Sequence, residues 1–472
     1  MTLKAELAHS AVAVLSEKWA RLRCGAGPPD PDECRAAVRR QLTDRSDVYS
    51  FGVLLVELAS ARRPIETKRE MKERLTARWA MARFIGGAAA DVLDPHLART
   101  PAAERALEML LELAFRLLGI PRLFFHGPSC FYSLCDLQAA NHGLHERIAA
   151  GGDEDKHAVP GVPVPVTVTR ATAPGFLNHP ATEVLRDAAM EAMRTADGFV
   201  VNTFLDLEAQ FVACYEAALG KPVWVVGPLS LCNRDVESTA SRGRTAAAGC
   251  QQAITAWLDG QAPGSVVFVS FGSIARKLPR QLVEVGHGLE DSGRPFLWVV
   301  KETEAAAPGV REWLEALEAR TAGRGLVVRG WAPQLAVLSH RAVGGFVTHC
   351  GWNSLLESIA HGVPVATWPH FADQYLNERL VVDMLGVGVP VGVTTASVMV
   401  FDDDTVALPR EGVVRAVSAL MGGGEEADER RRKAREYGEK ARRAMEEGGS
   451  SYENLTRLVQ SFAQSEVKGP KE

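Results

Sequence analysis

Short, wholly apolar runs punctuate the second half of the chain at residues 265–270, 295–300, 325–329, 343–348 and 363–368, set off by Gly and Pro. Runs this short, apolar at every position rather than at alternate ones, predict strands covered on both faces. Apolar positions at helical spacing predict helices between them, over 278–289 and 354–361. Strand and helix in alternation is the pattern of a parallel, doubly wound sheet. Residues from about 250 to 421 are therefore expected to form one Rossmann-like domain. Upstream, residues 120–126, 198–203 and 222–228 predict three more buried strands. The polar, small and aperiodic stretch 234–249 predicts a linker. Beyond the sheet, residues 425–447 predict a solvated helix with Glu429/Lys433 and Glu436/Lys440 four apart. Ser450 and Glu453 predict a capping box that opens a last amphipathic helix over 452–462. The first 116 residues differ: helical patterns at 48–60, 71–84 and 104–115, and no buried strand. Three regions are expected, at 1–116, 117–249 and 250–472.

Composition narrows the class. With 472 residues, 46% of them hydrophobic, the chain can bury a sizeable core, which excludes a disordered, collagenous or coiled-coil whole. A net charge of −5 argues against nucleic acid or anionic membrane as the partner. No apolar run reaches the ~18–20 residues of a membrane helix, and residues 1–20 lack the layout of a signal peptide. The eight cysteines form no CxxC pair and read as reduced thiols, so a cytoplasmic α/β enzyme is expected.

The richest chemistry lies in the 44 residues 331–374, WAPQLAVLSHRAVGGFVTHCGWNSLLESIAHGVPVATWPHFADQ. Trp331 follows a strand and can stack on a flat heterocycle, with the Gln334 amide beside it to meet a ring edge or hydroxyl. The strand 343–348 then turns tightly through His349 and Cys350 into a helix that opens at Asn353 and Ser354. Such a helix start aims free N–H groups at an anion, most naturally a phosphate, and ligands of open α/β sheets sit at strand C-termini. Glu357, one turn on, can accept from ribose hydroxyls; Trp368, Asp373 and Gln374 end the segment with groups suited to a sugar. Singly, each has a plainer role: a Trp is more often packing, His349 a satisfied loop histidine, Glu357 an exposed helix residue. Order and spacing together carry the reading.

This segment closely resembles the signature box of plant secondary-product UDP-glycosyltransferases, over all 44 positions, and the resemblance extends over roughly residues 118–462. It implies a GT-B architecture, two Rossmann-like domains facing across a cleft, of which the C-terminal one is complete and the N-terminal one incomplete. By the same resemblance Trp331 would stack on uracil and Gln334 approach the nucleoside. His349, Asn353 and Ser354 would hold the diphosphate, Glu357 the ribose, and Trp352, Asp373 and Gln374 would face the sugar. Ser273, in the Phe271-Gly272-Ser273 turn, matches a phosphate-side contact. Gln at the closing position goes with glucose donors in the family, so UDP-glucose is the expected co-substrate. The implied reaction is inverting transfer of the hexose to a small lipophilic acceptor, such as a flavonoid, terpenoid or phenolic. No cofactor is implied and no metal, and the Asp30/Asp32 and Asp402/Asp404 strings read as solvated turns.

Inverting transfer needs a general base for the acceptor hydroxyl. In the family this is a His after the first strand, oriented by an Asp about a hundred residues later. Neither is matched here: residues 104–117 carry no corresponding Asp, His9 follows a polar start, and His126 falls where the family lines the acceptor pocket. No catalytic residue is assigned. In place of that first half, residues 42–58, 62–65 and 92–97 resemble the C-lobe of receptor-like plant protein kinases, an α-helical segment in which Asp47 would brace a catalytic loop. The Gly-rich loop, strand Lys, catalytic Asp and metal-binding Asp of a kinase do not precede it. A kinase is thereby excluded. The alternative to an active transferase is a non-catalytic UDP-sugar-binding protein or a chimeric gene product.

Overall fold

The structure is a computed structural model and describes residues 55–56, 59–60, 76–85, 88–93, 100, 104, 107, 110–111, 121–175, 183–232, 248–273, 279–393 and 406–463. The chain divides into two compact units, Met1–Pro121 and Arg122–Glu472. In the first, most of the described residues are helical, including a helix over Thr76–Ile85, and Val56, Ala80, Val92 and Leu111 belong to a small apolar core. Most of the kinase-like segment, His9, Asp47 and both Asp-x-Asp strings lie outside the described residues.

The second unit begins with β1 (Leu123–His126) and α1 (Cys130–Asn141), passes a two-stranded hairpin of β2 (His157–Ala158) and β3 (Thr167–Val168), and continues through β4 (Gly198–Val201), α2 (Leu205–Leu219) and β5 (Val223–Val225). β1, β4 and β5 form a parallel sheet in that order. α1 and α2 pack together on it, with Phe131 and Phe211 ring centroids 4.8 Å apart.

The apolar runs of the second half become a six-stranded sheet: β6 (Val266–Ser270), β7 (Phe296–Val300), β8 (Gly325–Arg329), β9 (Val343–Thr348), β10 (Val365–Thr367) and β11 (Gly388–Pro390). Its order is β8-β7-β6-β9-β10-β11, all parallel. The chain winds outward from β6 to β8, returns to lay β9 beside β6, and winds outward the other way. Helices cover both faces, so β6 and β7 are buried at almost every position, as their unbroken apolar sequences require. The helices that matter below are α3 (Pro279–Asp291), α4 (Gln334–Leu338), α5 (Trp352–Ala360), α6 (Gln374–Arg379), α7 (Arg410–Met421), α8 (Glu425–Met445) and α9 (Ser450–Ala463). α9 returns to the first sheet, where it packs on β5 and Ser451 Oγ donates to the Gly227 carbonyl at 2.6 Å.

Three expectations need correction. β1 is not a buried strand: Leu123 is 40% and Phe125 56% exposed, because β1 is an edge strand among the described residues. The capping box at Ser450 does not form. Ser450 is already the first helical residue, its hydroxyl has no hydrogen-bond partner, and the Glu453 N–H goes to the Gly449 carbonyl. The run 222–228 yields a strand of only three residues, and β11 and the β2–β3 hairpin were not expected from the sequence. The Glu429–Lys433 and Glu436–Lys440 pairs are present, at 3.9 and 2.9 Å.

Candidate functional site

Between β6 and β9 the chain reverses its winding direction, and open α/β sheets take their ligands in the crevice outside the strand ends at such a point. Phe271-Gly272-Ser273 leaves β6; His349-Cys350-Gly351 leaves β9 and enters α5. The His349 ring is wedged between the two loops. A Cβ on Gly272 would lie 2.6 Å from its Cε1, and one on Gly351 2.5 Å from its Nε2. Both positions are thus closed to any side chain. Cys350 is held in the left-handed region at φ 65°, which costs a non-glycine residue about 1–2 kcal/mol. Ala372, at φ 57°, is the other such non-glycine residue among the described residues. Both lie inside 331–374, and backbone strain of this kind gathers at ligand sites. Burial raises the Cys350 thiol well above its usual range, so this cysteine is inert packing.

α5 is preceded by Gly351, which has no side chain to cap it; the Trp352 N–H goes to Asp373, and an uncapped helix start of this kind suits an anion at the N–H groups that follow. Asn353 is exposed at this end. Gln334, at the start of α4, donates from Nε2 to Ser354 Oγ at 3.1 Å and to Glu357 Oε2 at 2.7 Å. Three residues expected at one site are therefore joined directly. Half-buried Trp331 precedes them on the loop after β8, and Ser273 is exposed on the turn after β6.

Around the other side of the turn sit Asp373 and Gln374. Gln374 is buried, and its Oε1 accepts from the backbone N–H of His370 at 2.8 Å and of Phe371 at 3.3 Å. Its remaining polar atom is then the amide nitrogen, a donor. The Asp373 carboxylate accepts from Asn377 Nδ2 at 2.6 Å and from the Trp352 backbone N–H, yet burial pushes it up to about 6.

The first sheet reaches this site. Trp352, 3% exposed, donates its indole N–H to the Asn202 carbonyl at 2.8 Å, just past β4. Asn202 Nδ2 donates to Asn353 Oδ1 at 3.3 Å, and Ser129 Oγ to Asn377 Oδ1 at 3.2 Å. Behind this contact the fully buried Glu208 carboxylate accepts from Thr203 Oγ1 and from the N–H groups of Phe131 and Cys130, tying the end of β4 to the start of α1. His126, at the end of β1, has the Ser133 and Tyr215 hydroxyls 3.0 and 3.2 Å from Nδ1. Burial lowers it to about 4, so the ring is neutral near pH 7.

An aromatic platform, an uncapped helix start at a sheet reversal and a buried acid–amide pair form the kind of site that takes a nucleotide with a sugar attached. Comparison with known proteins gives the family. Residues 243–405 match the family model for UDP-glucoronosyl and UDP-glucosyl transferases. UDP-glycosyltransferase 73E1 of Stevia rebaudiana is 41% identical over 361 residues, 75% of this chain and 72% of its own. The chain belongs to the UDP-glycosyltransferases. Another relative, UDP-glucose flavonoid 3-O-glucosyltransferase 7 of Fragaria ananassa, is 38% identical over 78% of this chain and 75% of that one. Among solved structures, Glycyrrhiza uralensis UGT73P12 complexed with glycyrrhetinic acid 3-O-monoglucuronide superposes with a TM-score of 0.70 at 29% identity, covering 90% of this chain and 95% of that one. A transferase from Siraitia grosvenorii in complex with UDP gives 0.62 at 31% identity over 76% of each chain. This UDP-glycosyltransferase thus has neighbours of the GT-B type and the parallel α/β sheets of that architecture. No helix among its described residues is long and apolar enough to cross a membrane, and no group of three or more His, Cys, Asp or Glu there is placed to hold a metal. Asn202 and Asn377, which tie the two halves of the transferase together, and Glu208, which braces the first half, were not singled out from sequence; a polar residue has no local signature when its partners lie 78 to 248 residues away.

Proposed function

We propose that this chain binds UDP-glucose in the crevice between β6 and β9, and that its family reaction is inverting, metal-independent transfer of glucose to the hydroxyl of a small lipophilic acceptor. The observation that carries the reading is the direct union of Gln334, Ser354 and Glu357 at the start of α5. Trp331 stacks on the uracil, and Gln334 and Glu357 hold the nucleoside and ribose. The N–H groups of α5, with His349, Asn353, Ser354 and Ser273, take the diphosphate as it leaves. Asp373 accepts from the sugar and Gln374 donates to it, with Trp352 closing that end. The relative named for UDP-glucose and a flavonoid, and the neighbour solved with UDP, support the donor and the acceptor class.

The acceptor side lacks the family's base. Residues ahead of 118 carry no His after a buried strand and no matching Asp, and burial lowers His126 to about 4, which makes its ring a weak base. Loss of a general base costs about 10²–10⁴-fold, and lost acceptor positioning adds to it. The chain therefore holds UDP-glucose but transfers it at background. Calorimetry with UDP and UDP-glucose, beside an assay of glucose transfer to phenolic acceptors, tests both statements. UDP binding without transfer is expected, with transfer restored when a family-type first half bearing the His and the Asp is placed ahead of Leu118. A folded chain without UDP affinity would sink the donor reading, and robust turnover by the unmodified chain would sink the missing base.

A further inference from the structure

Asn377 lies fully buried on α6, one turn beyond Asp373, where three parts of the molecule meet. Its amide nitrogen donates one hydrogen to the Cys350 carbonyl at 3.0 Å and the other to Asp373 Oδ2 at 2.6 Å. Its oxygen accepts from Ser129 Oγ at 3.2 Å. Chemistry fixes this orientation, because a carbonyl and a carboxylate can only accept. The Ser129 hydroxyl is suited to its part as well: its oxygen accepts from the Tyr132 N–H, and its hydrogen is left to donate. Every hydrogen-bonding atom of the Asn377 side chain is used, and each bond reaches a different piece of the site. One is the strained turn that opens α5, one is the sugar-facing carboxylate, and one is the first residue of the other half's α1 cap.

We infer that Asn377 is the positioning residue of the sugar end of the site, setting the Asp373 carboxylate that meets the hexose. This rests on the donor reading above. A buried carboxylate holds its direction and its charge through the donors around it. Asp373 has three of them, the Asn377 amide, its own backbone N–H and the Trp352 N–H, and the Asn377 amide is the one side chain among them. Without the amide, the carboxylate loses the donor that holds it against the turn, and the sugar loses a fixed acceptor. The uracil contacts, carried by Trp331 and Gln334, make no bond to Asn377 and stay as they are.

The experiment is calorimetry of UDP-glucose and of UDP at neutral pH on the full chain. The variants are Asn377→Leu, which has the same span and no donor, Asn377→Ser, which keeps one donor, and Asp373→Asn alone and combined with Asn377→Leu. Asn377→Leu should weaken UDP-glucose about tenfold, the worth of one hydrogen bond to a charged group, and leave UDP within about twofold. Asn377→Ser should fall between it and the wild type. In the Asp373→Asn background Asn377→Leu should add nothing further, since both changes disable the same contact. UDP affinity reports that the pocket is intact, and should the Leu variant not fold, the Ser variant decides. Equal losses for both ligands, no loss for UDP-glucose, or an undiminished effect without Asp373 would overturn the assignment. A wild-type chain that binds neither ligand would overturn the donor reading itself, and the two failures are thereby told apart.

Discussion

Asp373 accepts from Asn377, from Trp352 and from its own N–H and is still pushed up to about 6, because burial outweighs them. An acid shifted upward is more readily neutralised, so its power to accept from a sugar is present above pH 6 and lost as pH falls through that value. The UDP-glucose affinity of the wild type should therefore exceed that of Asp373→Asn at pH 8, and the gap should close by about pH 5. Titrations at the two pH values check this; a gap unchanged between them would remove Asp373 from the sugar. Gln334, Ser354 and Glu357 could be grouped from sequence because a stretch of 24 residues, from the start of α4 into α5, brings them together. Asn377 could not. Its role depends on Ser129, 248 positions earlier, and no local spacing encodes that.

At the scale of elements, α6 carries a second displaced carboxyl. Glu378 packs against β10, accepts from Thr367 Oγ1 at 2.5 Å, and is pushed up by burial from 4.5 to about 7. The sign follows from linkage: an acid raised in the folded state opposes folding wherever the unfolded chain would ionise it. The cost is absent below about pH 4.5 and complete above about pH 7, where the gap is worth about 3 kcal/mol. Glu378→Gln keeps an acceptor for Thr367 and removes the charge. It should raise stability by up to about 3 kcal/mol at pH 8 and leave it unchanged at pH 4, as measured by urea unfolding at both; a gain of equal size at pH 4 would refute the cause. The strands of the large sheet were readable almost to the residue, since a run buried on both faces is apolar throughout. β11 was not, because Gly388-Val389-Pro390 holds a single large apolar residue and is paired only at the sheet edge. The cap at Ser450 failed for a local reason, as Gly449 takes the position the serine was expected to hold.

Over the whole molecule, the two sheets differ in how well they are enclosed. The large sheet has helices on both faces, whereas β1, an edge strand among the described residues, exposes Leu123 and Phe125 on one face. An apolar edge strand invites pairing with a second chain. Phe125→Thr should keep the strand and its stability within about 0.5 kcal/mol while lowering aggregation, which light scattering at matched concentration would register. Unchanged scattering would show that the edge is harmless. The division into a readable second half and an unlike first stretch came from pattern alone, but the seam between the sheets did not. It is made by Trp352 on Asn202, Ser129 on Asn377 and Ser451 on Gly227, pairs that only the folded chain brings together.

The return of α9 to β5 also sets a timetable. Gly227 and Ser451 stand 224 residues apart in the chain. A ribosome adding about 5–20 residues per second needs roughly 10–45 s to make that stretch. Throughout that interval the emerging first sheet lacks the helix that covers β5, although its own strands are already complete. The nascent protein thus leaves β5 without its covering helix for nearly half the time taken to make these 472 residues, and α9, the last helix among the described residues, is the one that closes it.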